Sequence, residues 1–474
     1  MAVYANVTGN NSLQHAPQAT LNVTMREEPG QESVPKVSYV LTRASSAEAS
    51  PAQGVSLAGL PEGTQWRLQG NPHDKGMLRN GLAYELGRIF FPDATPATKH
   101  CEVLFKKGKR YEYKGVYILA ESLDDMFKKL AVRTGGPLGA DGSIWVEYSP
   151  ARDKMRHGQE KSGDTAVFGW SLHDRGFVTV YPSTGVSVTE EGRMEMAIDK
   201  LERTLESLTP GTYLEYMSLL DQQSAQDIFL LNTLLLNSGE GVSFFLNRRS
   251  NGRLRLFPTW NFEYAVDNTP LREHPLSFEL PETSLTPPSA LAKRIPVWRQ
   301  LEDGRGIRGL YLYPVYEALG GDRFLWFDRL FLSKPFLMEM ANRYASLRRG
   351  PLAPKQVNAL VDALATRLGP ALERDWYRWK EEYTSVAGPM ALLPFTDGEG
   401  ETRIRRTSSY DQELVKLRYS LREQDVFLTG QLAQMGWLSA DLFDKTMDGN
   451  RSAGYALAVM AVFLIFTYML TRKL

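Results

Sequence analysis

The sequence predicts an α+β protein with a β-rich N-terminal lobe, a helical C-terminal lobe and a C-terminal transmembrane helix. Three observations lead to this prediction. Short β-like runs alternate with Gly, Ser, Pro and Gln linkers over residues 1–70. Apolar residues recur at helical spacing from about residue 322 onward. An uncharged apolar run covers residues 453–470.

Length and composition limit the class of protein. The chain has 474 residues, of which 43% are hydrophobic, so it can bury a large core. Its 55 basic and 55 acidic residues balance, and no overall field favours nucleic acid, which we therefore do not expect as a partner. With Cys101 as the one cysteine, the chain can form neither an intrachain disulfide nor a cysteine-based zinc site.

The apolar run at residues 453–470 predicts a single membrane-spanning anchor. About 18 residues in a helix extend roughly 27 Å, which is enough to cross a bilayer. The run is apolar on all sides and is followed by Arg472 and Lys473; the alternative is a buried C-terminal helix. We divide the chain into a β-rich segment (1–65), a core (66–435), a juxtamembrane linker (436–452) and the span.

The side of the membrane stays open in the sequence. Basic residues flank the apolar run almost evenly, with Lys445 and Arg451 before it and Arg472 and Lys473 after it. No basic and apolar leader opens the chain, which predicts a cytoplasmic, tail-anchored body. If the N-terminus is truncated, the body is extracytoplasmic.

Individual elements follow from local patterns. After the turn Asn71–Asp74, leucines at positions 78, 82 and 86 predict a helix, with Arg79 and Asn80 off the apolar stripe. Residues 102–105 and 115–119 predict a hairpin, and residues 227–237 a fully buried helix. Three later helices are predicted over Pro335–Arg348, Pro354–Lys380 and Tyr410–Met435.

The turn of the predicted hairpin is strongly basic. It contains five cations, namely Lys106, Lys107, Lys109, Arg110 and Lys114. Solvated charge at a hairpin tip explains this run, and binding of phosphate or an anionic polymer is the alternative.

A loop after the strand-like residues 253–256 places two oxygen-bearing side chains two positions apart. Asn261 and Glu263 would share one side of an extended segment, while Trp260 and Phe262 point into the core. Such a pair can converge on a cation or on a phosphate-bound metal, so we interpret the loop as a candidate metal site.

The order of several segments resembles the CotH spore-coat kinase family over roughly residues 20–435. The resemblance rests on Met25-Arg26, Pro35-Lys36-Val37-Ser38-Tyr39, Trp66–Asn71 with Asp74–Asn80, Gly115–Glu121, the buried helix, the strand Ser243–Leu246, the Trp260 loop, Arg343-Tyr344 and Arg374–Trp379. It implies an atypical, compact protein-kinase-like fold that binds ATP with Mg²⁺ and phosphorylates serine on partner proteins. It also implies export to a cell envelope. The His-Arg-Asp and Asp-Phe-Gly motifs of conventional kinases are absent from the sequence.

The resemblance assigns roles to three charged residues. Lys36 matches a basic position near the nucleotide phosphates, and Glu121 matches the acidic residue that ends the Gly-Val-Tyr strand. A lysine can neutralise phosphate charge while a glutamate orients it or a metal-bound water. Arg79 is a further candidate phosphate ligand, or else pairs with Glu85 or covers its helix.

The acidic positions depart from the family pattern. Where the family has Trp-Asp-x-Asp, the chain has Trp260-Asn261-Phe262-Glu263, so one metal-binding carboxylate is a neutral amide and the other is a methylene longer. Both changes should weaken Mg²⁺ binding. An upstream family aspartate falls in residues 237–240, where Glu240 is the possible substitute as general base.

Three hypotheses follow for the function. The first is a membrane-anchored, kinase-like envelope protein that binds nucleotide or phosphate with weakened or lost phosphotransfer, assisting an unidentified envelope or polymer-assembly partner. The second is an active atypical kinase in which Glu240 and Glu263 act as base and metal ligand. The third is a non-catalytic adhesion module that uses the basic hairpin. The first two require Lys36, Glu121, Asn261 and Glu263 to meet around one cleft.

Overall fold

The structure is a computed structural model of the chain. It describes residues 2–5, 21–28, 34–43, 54–133, 144–148, 168–170, 176–182, 188–207, 213–237, 244–248, 252–266, 268, 325–330, 333–385, 390, 395–396, 402–403 and 409–434.

The β-strands form two larger sheets and one small hairpin. Their bounds are β1 Ala2–Ala5, β2 Leu21–Glu27, β3 Tyr39–Arg43, β4 Gln65–Gln69, β5 Thr98–Lys107, β6 Arg110–Glu121, β7 Trp145–Tyr148, β8 Phe168–Trp170, β9 Gly176–Tyr181, β10 Phe244–Arg248, β11 Leu254–Pro258, β12 Phe395–Thr396 and β13 Thr402–Arg403. The first sheet has the order β1-β2-β3-β4-β6-β5 and the second the order β11-β10-β7-β9-β8, both antiparallel, while β12 pairs with β13. The β-rich N-terminal lobe predicted from residues 1–70 thus contributes four of the six strands of the first sheet.

Five of the described helices lie before residue 237, and the two longest lie in the second half of the chain. Their bounds are α1 Arg79–Phe90, α2 Leu123–Arg133, α3 Val188–Glu206, α4 Tyr213–Leu219, α5 Gln222–Leu234, α6 Leu325–Leu330, α7 Lys334–Arg348, α8 Pro354–Thr384 and α9 Tyr410–Gln434. The three late helices predicted from apolar spacing correspond to α7, α8 and α9 within a few residues at each end.

The predicted hairpin is confirmed as β5 and β6. Glu102 pairs with Val116 and Val103 with Gly115, and a register shift follows between Val103 and Leu104. Gly115 has φ +109°, a backbone conformation that residues with a Cβ rarely adopt. At this position the strand passes directly beside α8.

Two helices are buried almost completely. In α5 every residue from Ser224 to Leu234 is buried, as the apolar run predicted, and Gln223 in the first turn is exposed. Asp221 caps its N-terminus by accepting a hydrogen bond from the Ser224 backbone N–H at 3.1 Å. In α1 the polar residues Arg79 and Asn80 are also buried, although they lie off the apolar stripe. Their burial requires partners, which the site supplies.

The long helix α8 bends in its middle. Gly369 has φ +28° and ψ −116°, and Pro370 follows it, so two helical segments meet at this point. The second segment carries Trp376, Trp379 and Tyr383, which form a buried aromatic cluster with Met390. This segment crosses β6 and reaches the loop that follows β4.

The predicted transmembrane helix is the part of the fold class that requires correction. Among the described residues, no helix combines the length and the apolar character needed to cross a bilayer. The longest, α8 and α9, expose charged side chains such as Glu373, Arg374 and Arg418, as amphipathic helices of a folded domain do. The linker 436–452 and the run 453–470 lie outside the described residues. The fold class that the described residues support is α+β.

Candidate functional site

The first sheet, the loops and the late helices meet at one place, which we call the central junction. It consists of Lys36, the connection 70–78 between β4 and α1, the loop 259–268 after β11, the second half of α8 and the start of α9. Of the charged residues singled out in the sequence, Lys36, Arg79 and Glu263 lie here.

Lys36 is completely buried at the junction. Its ammonium group donates to Asp375 Oδ1 at 2.9 Å, to Tyr383 Oη at 2.9 Å and to Met77 Sδ at 3.3 Å. An ammonium group has three protons, so these three contacts use its full donor capacity. Burial lowers the pKa of Lys36, and the nearby carboxylate of Asp375 opposes that effect.

Asp375 is the counter-ion of this lysine and is also fully buried. Its Oδ1 accepts a second hydrogen bond from the Val116 backbone N–H at 2.7 Å, and its Oδ2 accepts one from Tyr383 Oη at 2.8 Å. Burial raises the pKa of Tyr383, which therefore stays a neutral hydroxyl. Lys36, Asp375 and Tyr383 form a closed buried triad that joins the first sheet to α8.

Arg79 forms a second buried network. It donates from Nη1 to Asp74 Oδ1 at 2.8 Å and to Glu413 Oε2 at 3.0 Å, and from Nε to the Ala265 carbonyl at 3.0 Å. Burial lowers the pKa of Arg79, but Glu413 and Asp74 outweigh it and the pKa is raised. The pairing with Glu85 considered from the sequence does not occur, because Glu85 bonds Arg88.

Glu121 does not join Lys36. Its carboxylate accepts hydrogen bonds from Lys129 on α2 and from the Ala97 backbone N–H. Lys36 meets β6 at Val116 through their shared partner Asp375, and five residues of strand separate Val116 from Glu121 by about 17 Å. The prediction that four residues meet around one cleft therefore fails at Glu121.

The Trp260 loop lies at the rim of the junction. Trp260 and Phe262 are buried, while Asn261 is exposed and Glu263 is partly exposed. Glu263 Oε1 accepts hydrogen bonds from the His73 backbone N–H and, at 3.1 Å, contacts His73 Nδ1. The loop is not extended, because Trp260 has φ +59°. The carboxylate of Glu263 is near enough to Lys36 to contribute to raising the pKa of the lysine, against the effect of burial.

A buried amide ladder connects the two loops. Asn80 Oδ1 accepts from the Phe262 backbone N–H at 2.7 Å, and Asn80 Nδ2 donates to Asn71 Oδ1 at 2.8 Å. Asn71 is 4% exposed, yet its Nδ2 has no hydrogen-bond partner among the residues that the structure describes. A buried donor without a partner costs about 1–3 kcal/mol, so its retention is typical of a functional site.

Backbone strain is concentrated in the same loops. Six of the described non-glycine residues have positive φ, and five of them lie around the junction: Asn71, Met77, Leu236, Trp260 and Val266. Positive φ is most unusual for a β-branched residue such as Val266, which has φ +51°. Strained residues of this kind cluster at ligand-binding and catalytic sites.

Glu240, the candidate general base, lies outside the described residues. Asn237, the last described residue before it, is hydrogen-bonded at the junction. Its Nδ2 donates to Asn232 Oδ1 at 3.0 Å and to the Asn261 carbonyl at 3.4 Å. The segment therefore leaves α5 beside the Trp260 loop.

The described side chains do not fit a preformed magnesium site. Within the part of the chain that the structure describes, no group of three or more His, Cys, Asp or Glu residues could hold a metal ion. Asn261 offers a neutral oxygen, and Glu263 Oε1 already binds His73. Magnesium favours anionic oxygens in near-ideal octahedral geometry, which this pair does not supply.

Sequence reasoning missed the residues that pair with the two buried cations. Asp375, Trp379 and Tyr383 recur at four-residue spacing and so share one face of α8. A carboxylate on a helix face that is otherwise aromatic indicates a buried charge. The sequence alone therefore contained a pattern that could have identified Asp375. Glu413, on α9, lies 334 residues from Arg79, and no local pattern links them.

The described residues form an α+β fold in which the buried Lys36 lies near Glu263 of the Trp260 loop. The family model described as CotH kinase protein matches residues 29–420, which is most of the chain. The chain therefore belongs to the CotH kinase family. No curated protein matches it.

Proposed function

We propose that this chain is a kinase-fold protein whose phosphotransfer is weakened or lost, and whose central junction binds a nucleotide or another phosphate-bearing ligand. One observation carries the proposal. Lys36, the residue that the family places near the phosphates, donates all three of its protons to protein atoms inside the core.

Freeing Lys36 for a phosphate would be costly. It would leave Asp375 buried without its counter-ion, and breaking such a pair costs about 3–5 kcal/mol. A cost of that size corresponds to a loss of roughly 10²–10⁴ in affinity or rate. Arg79 is held as firmly by two carboxylates, and Asn261 removes a charge that magnesium would need.

Several features of the rim support retained ligand binding. Asn71, whose Nδ2 lacks a partner within the described part of the chain, the partly exposed His73 and the exposed Asn261 lie on adjoining loops with strained backbone. Backbone N–H groups and neutral amides can bind phosphate oxygens without a metal. Binding of this kind would be weak and would depend little on magnesium.

The test measures binding and transfer in the same preparation of the full chain. We expect ATP to raise the melting temperature by about 1–3 °C with or without Mg²⁺, and labelled ATP to give little label on a generic serine-containing acceptor. Asn261→Asp should make the shift dependent on Mg²⁺. The matched control is Gln356→Glu, which adds one carboxylate on the exposed start of α8.

Two outcomes would contradict the proposal. Strong label transfer by the wild-type chain would rule out lost phosphotransfer. An unchanged melting temperature with ATP, in both wild type and Asn261→Asp, would rule out ligand binding at the junction.

An active atypical kinase is the second candidate function. The observation that favours it is the exposure of Asn261 and Glu263 on one rim, where a carbonyl and a carboxylate are accessible to a ligand. Glu240 would then act as the general base. If this function is correct, Glu240→Gln and Glu263→Gln should each abolish label transfer, whereas Gln356→Glu should leave it unchanged.

The place of action stays a prediction. Family resemblance suggests a cell-envelope role beside an unidentified protein or polymer-assembly partner. Fractionation of cells that express the tagged full chain, followed by cross-linking, would test both expectations, and recovery with cytoplasmic markers alone would contradict them.

A further inference from the structure

An open groove lies at a distance from the central junction. It has a volume of 790 Å³ and is lined by α3, by the end of α4 and by Arg248 and Gly252 at one end of the β10–β11 hairpin. The lining side chains include Arg193, Met196, Lys200, Leu219 and Arg248. Arg248 lies at the opposite end of the β10–β11 hairpin from the Trp260 loop, about 15 Å away along the strand.

Helix α3 has two distinct faces. Met194, Ile198 and Leu201 are buried in the core. Arg193, Met196 and Lys200, at spacings of three and four residues, share the other face and line the groove. Met196 is 65% exposed, which is unusual for a large apolar side chain beside two cations. This face is therefore built as a surface that is both basic and apolar.

The groove is positively charged. Three cations line it, and among the described residues of its lining there is no carboxylate. The Cα atoms of Arg193 and Lys200 are seven residues apart on a helix, or about 10 Å. Cations spread over this distance along an open groove match several successive charges better than a single phosphate.

We propose that this groove binds an acidic, extended segment of a polypeptide partner. Carboxylates of the segment pair with Arg193, Lys200 and Arg248, and an apolar side chain between them packs on Met196 and Leu219. The volume lies within the range of about 300–1,000 Å³ that is usual for ligand sites. This inference does not depend on nucleotide binding at the junction.

Fluorescence anisotropy of the full chain with a short labelled peptide of alternating glutamates and leucines tests the proposal. We expect binding that weakens as salt is raised, and an affinity about tenfold lower for Arg193→Glu/Lys200→Glu. The matched control, Lys355→Glu/Arg367→Glu, makes the same change in net charge on exposed residues in the first half of α8 and should bind like the wild type. Both cations of the groove variant are exposed, so folding should survive, which a melting curve checks.

Three outcomes would overturn the proposal. Equal binding of a peptide with glutamine in place of glutamate would show that charge is not recognised. Equal loss in both charge-reversal variants would show that net charge alone matters. Complete displacement of the peptide by inorganic phosphate at a similar concentration would assign the groove to a small anion.

Discussion

The two sides of the central junction use charge in opposite ways. On the inner side, Lys36 and Arg79 are buried and their hydrogen bonds are directed to carboxylates, carbonyls and a hydroxyl of the same chain. On the rim, His73 and Glu263 are partly exposed and contact each other, Tyr264 and Asn268. The comparison teaches that the buried cations Lys36 and Arg79 hold the parts of the fold together, whereas ligand contacts should be sought at the rim.

The largest expected effect is the loss of Asp375. Asp375→Ala should lower the free energy of unfolding by about 3–5 kcal/mol, because Lys36 would remain buried without a counter-ion. The Val116 backbone N–H and the Tyr383 hydroxyl would also lose their acceptor. Urea unfolding of the full chain measures the effect. Lys36→Met/Asp375→Leu, which removes both charges, should recover much of the loss, and an equally unstable double variant would contradict a charge-based explanation.

Next in size is a substitution at Gly115, which tests how tightly β6 packs against the inner side. A Cβ at this position would lie 2.7 Å from Trp379 Nε1 and closer still to Asp375 Oδ1. Gly115→Ala should therefore cost about 3 kcal/mol through clash and strain together. Gly108→Ala is the control, since Gly108 also has positive φ but no atom within 4 Å of the added methyl. It should cost about 1 kcal/mol, and equal costs would exclude a packing effect.

A third prediction compares a buried ion pair with an exposed one, each of which involves a side chain of α9. Glu413→Gln weakens the hold of α9 on Arg79 and should cost about 2 kcal/mol. Asp362→Asn breaks the exposed pair between α8 and Arg418 on α9 and should cost less than about 1 kcal/mol. Thermal unfolding of both variants decides the matter, and similar losses would mean that burial does not set the strength of these contacts.

A fourth prediction concerns pH. Burial lowers the pKa of His100 to about 4, and its Nε2 lies 3.1 Å from the Met77 carbonyl on the inner side. Between pH 6.5 and pH 4 the unfolded chain binds more protons at this residue, so stability falls as pH falls through that window. His100→Gln should reduce this acid loss by about 1–2 kcal/mol. Parallel stability curves for the two proteins over that window would contradict the assignment.

The smallest effect is expected at the rim. Glu263→Gln keeps an oxygen that can accept from the His73 backbone N–H, so we expect a change in stability below about 1 kcal/mol. The same variant should nevertheless alter the ATP-dependent shift in melting temperature. A loss of stability as large as that of Asp375→Ala would place Glu263 with the inner, structural group.

Patterns within short stretches predicted much of the fold. The hairpin of β5 and β6, the buried helix α5 and the late helices all follow from apolar spacing, because each depends on neighbours in sequence. Burial of Trp260 and Phe262 followed from the same rule. The positive φ of Trp260 did not, since tertiary packing imposes it against the residue's own preference.

The candidate site was harder to predict because its contacts are distant in sequence. Family resemblance drew attention to Lys36, Arg79 and Glu263, which the structure brings to one junction. It also suggested Glu121, which pairs elsewhere with Lys129. Asp375, the counter-ion of Lys36, and Glu413, one of the two carboxylate partners of Arg79, are both far along the chain, and pairing over such separations leaves no periodic trace in the sequence.

The ion pair between Lys36 and Asp375 spans 339 positions of the chain. A ribosome adds about 5–20 residues per second, so roughly 17–70 seconds pass between the synthesis of Lys36 and that of Asp375. During that interval the first sheet cannot bury Lys36 without a large electrostatic cost. The N-terminal strands of a nascent chain should therefore complete their packing only after α8 emerges, which leaves their edges exposed to chaperones and to one another for most of synthesis.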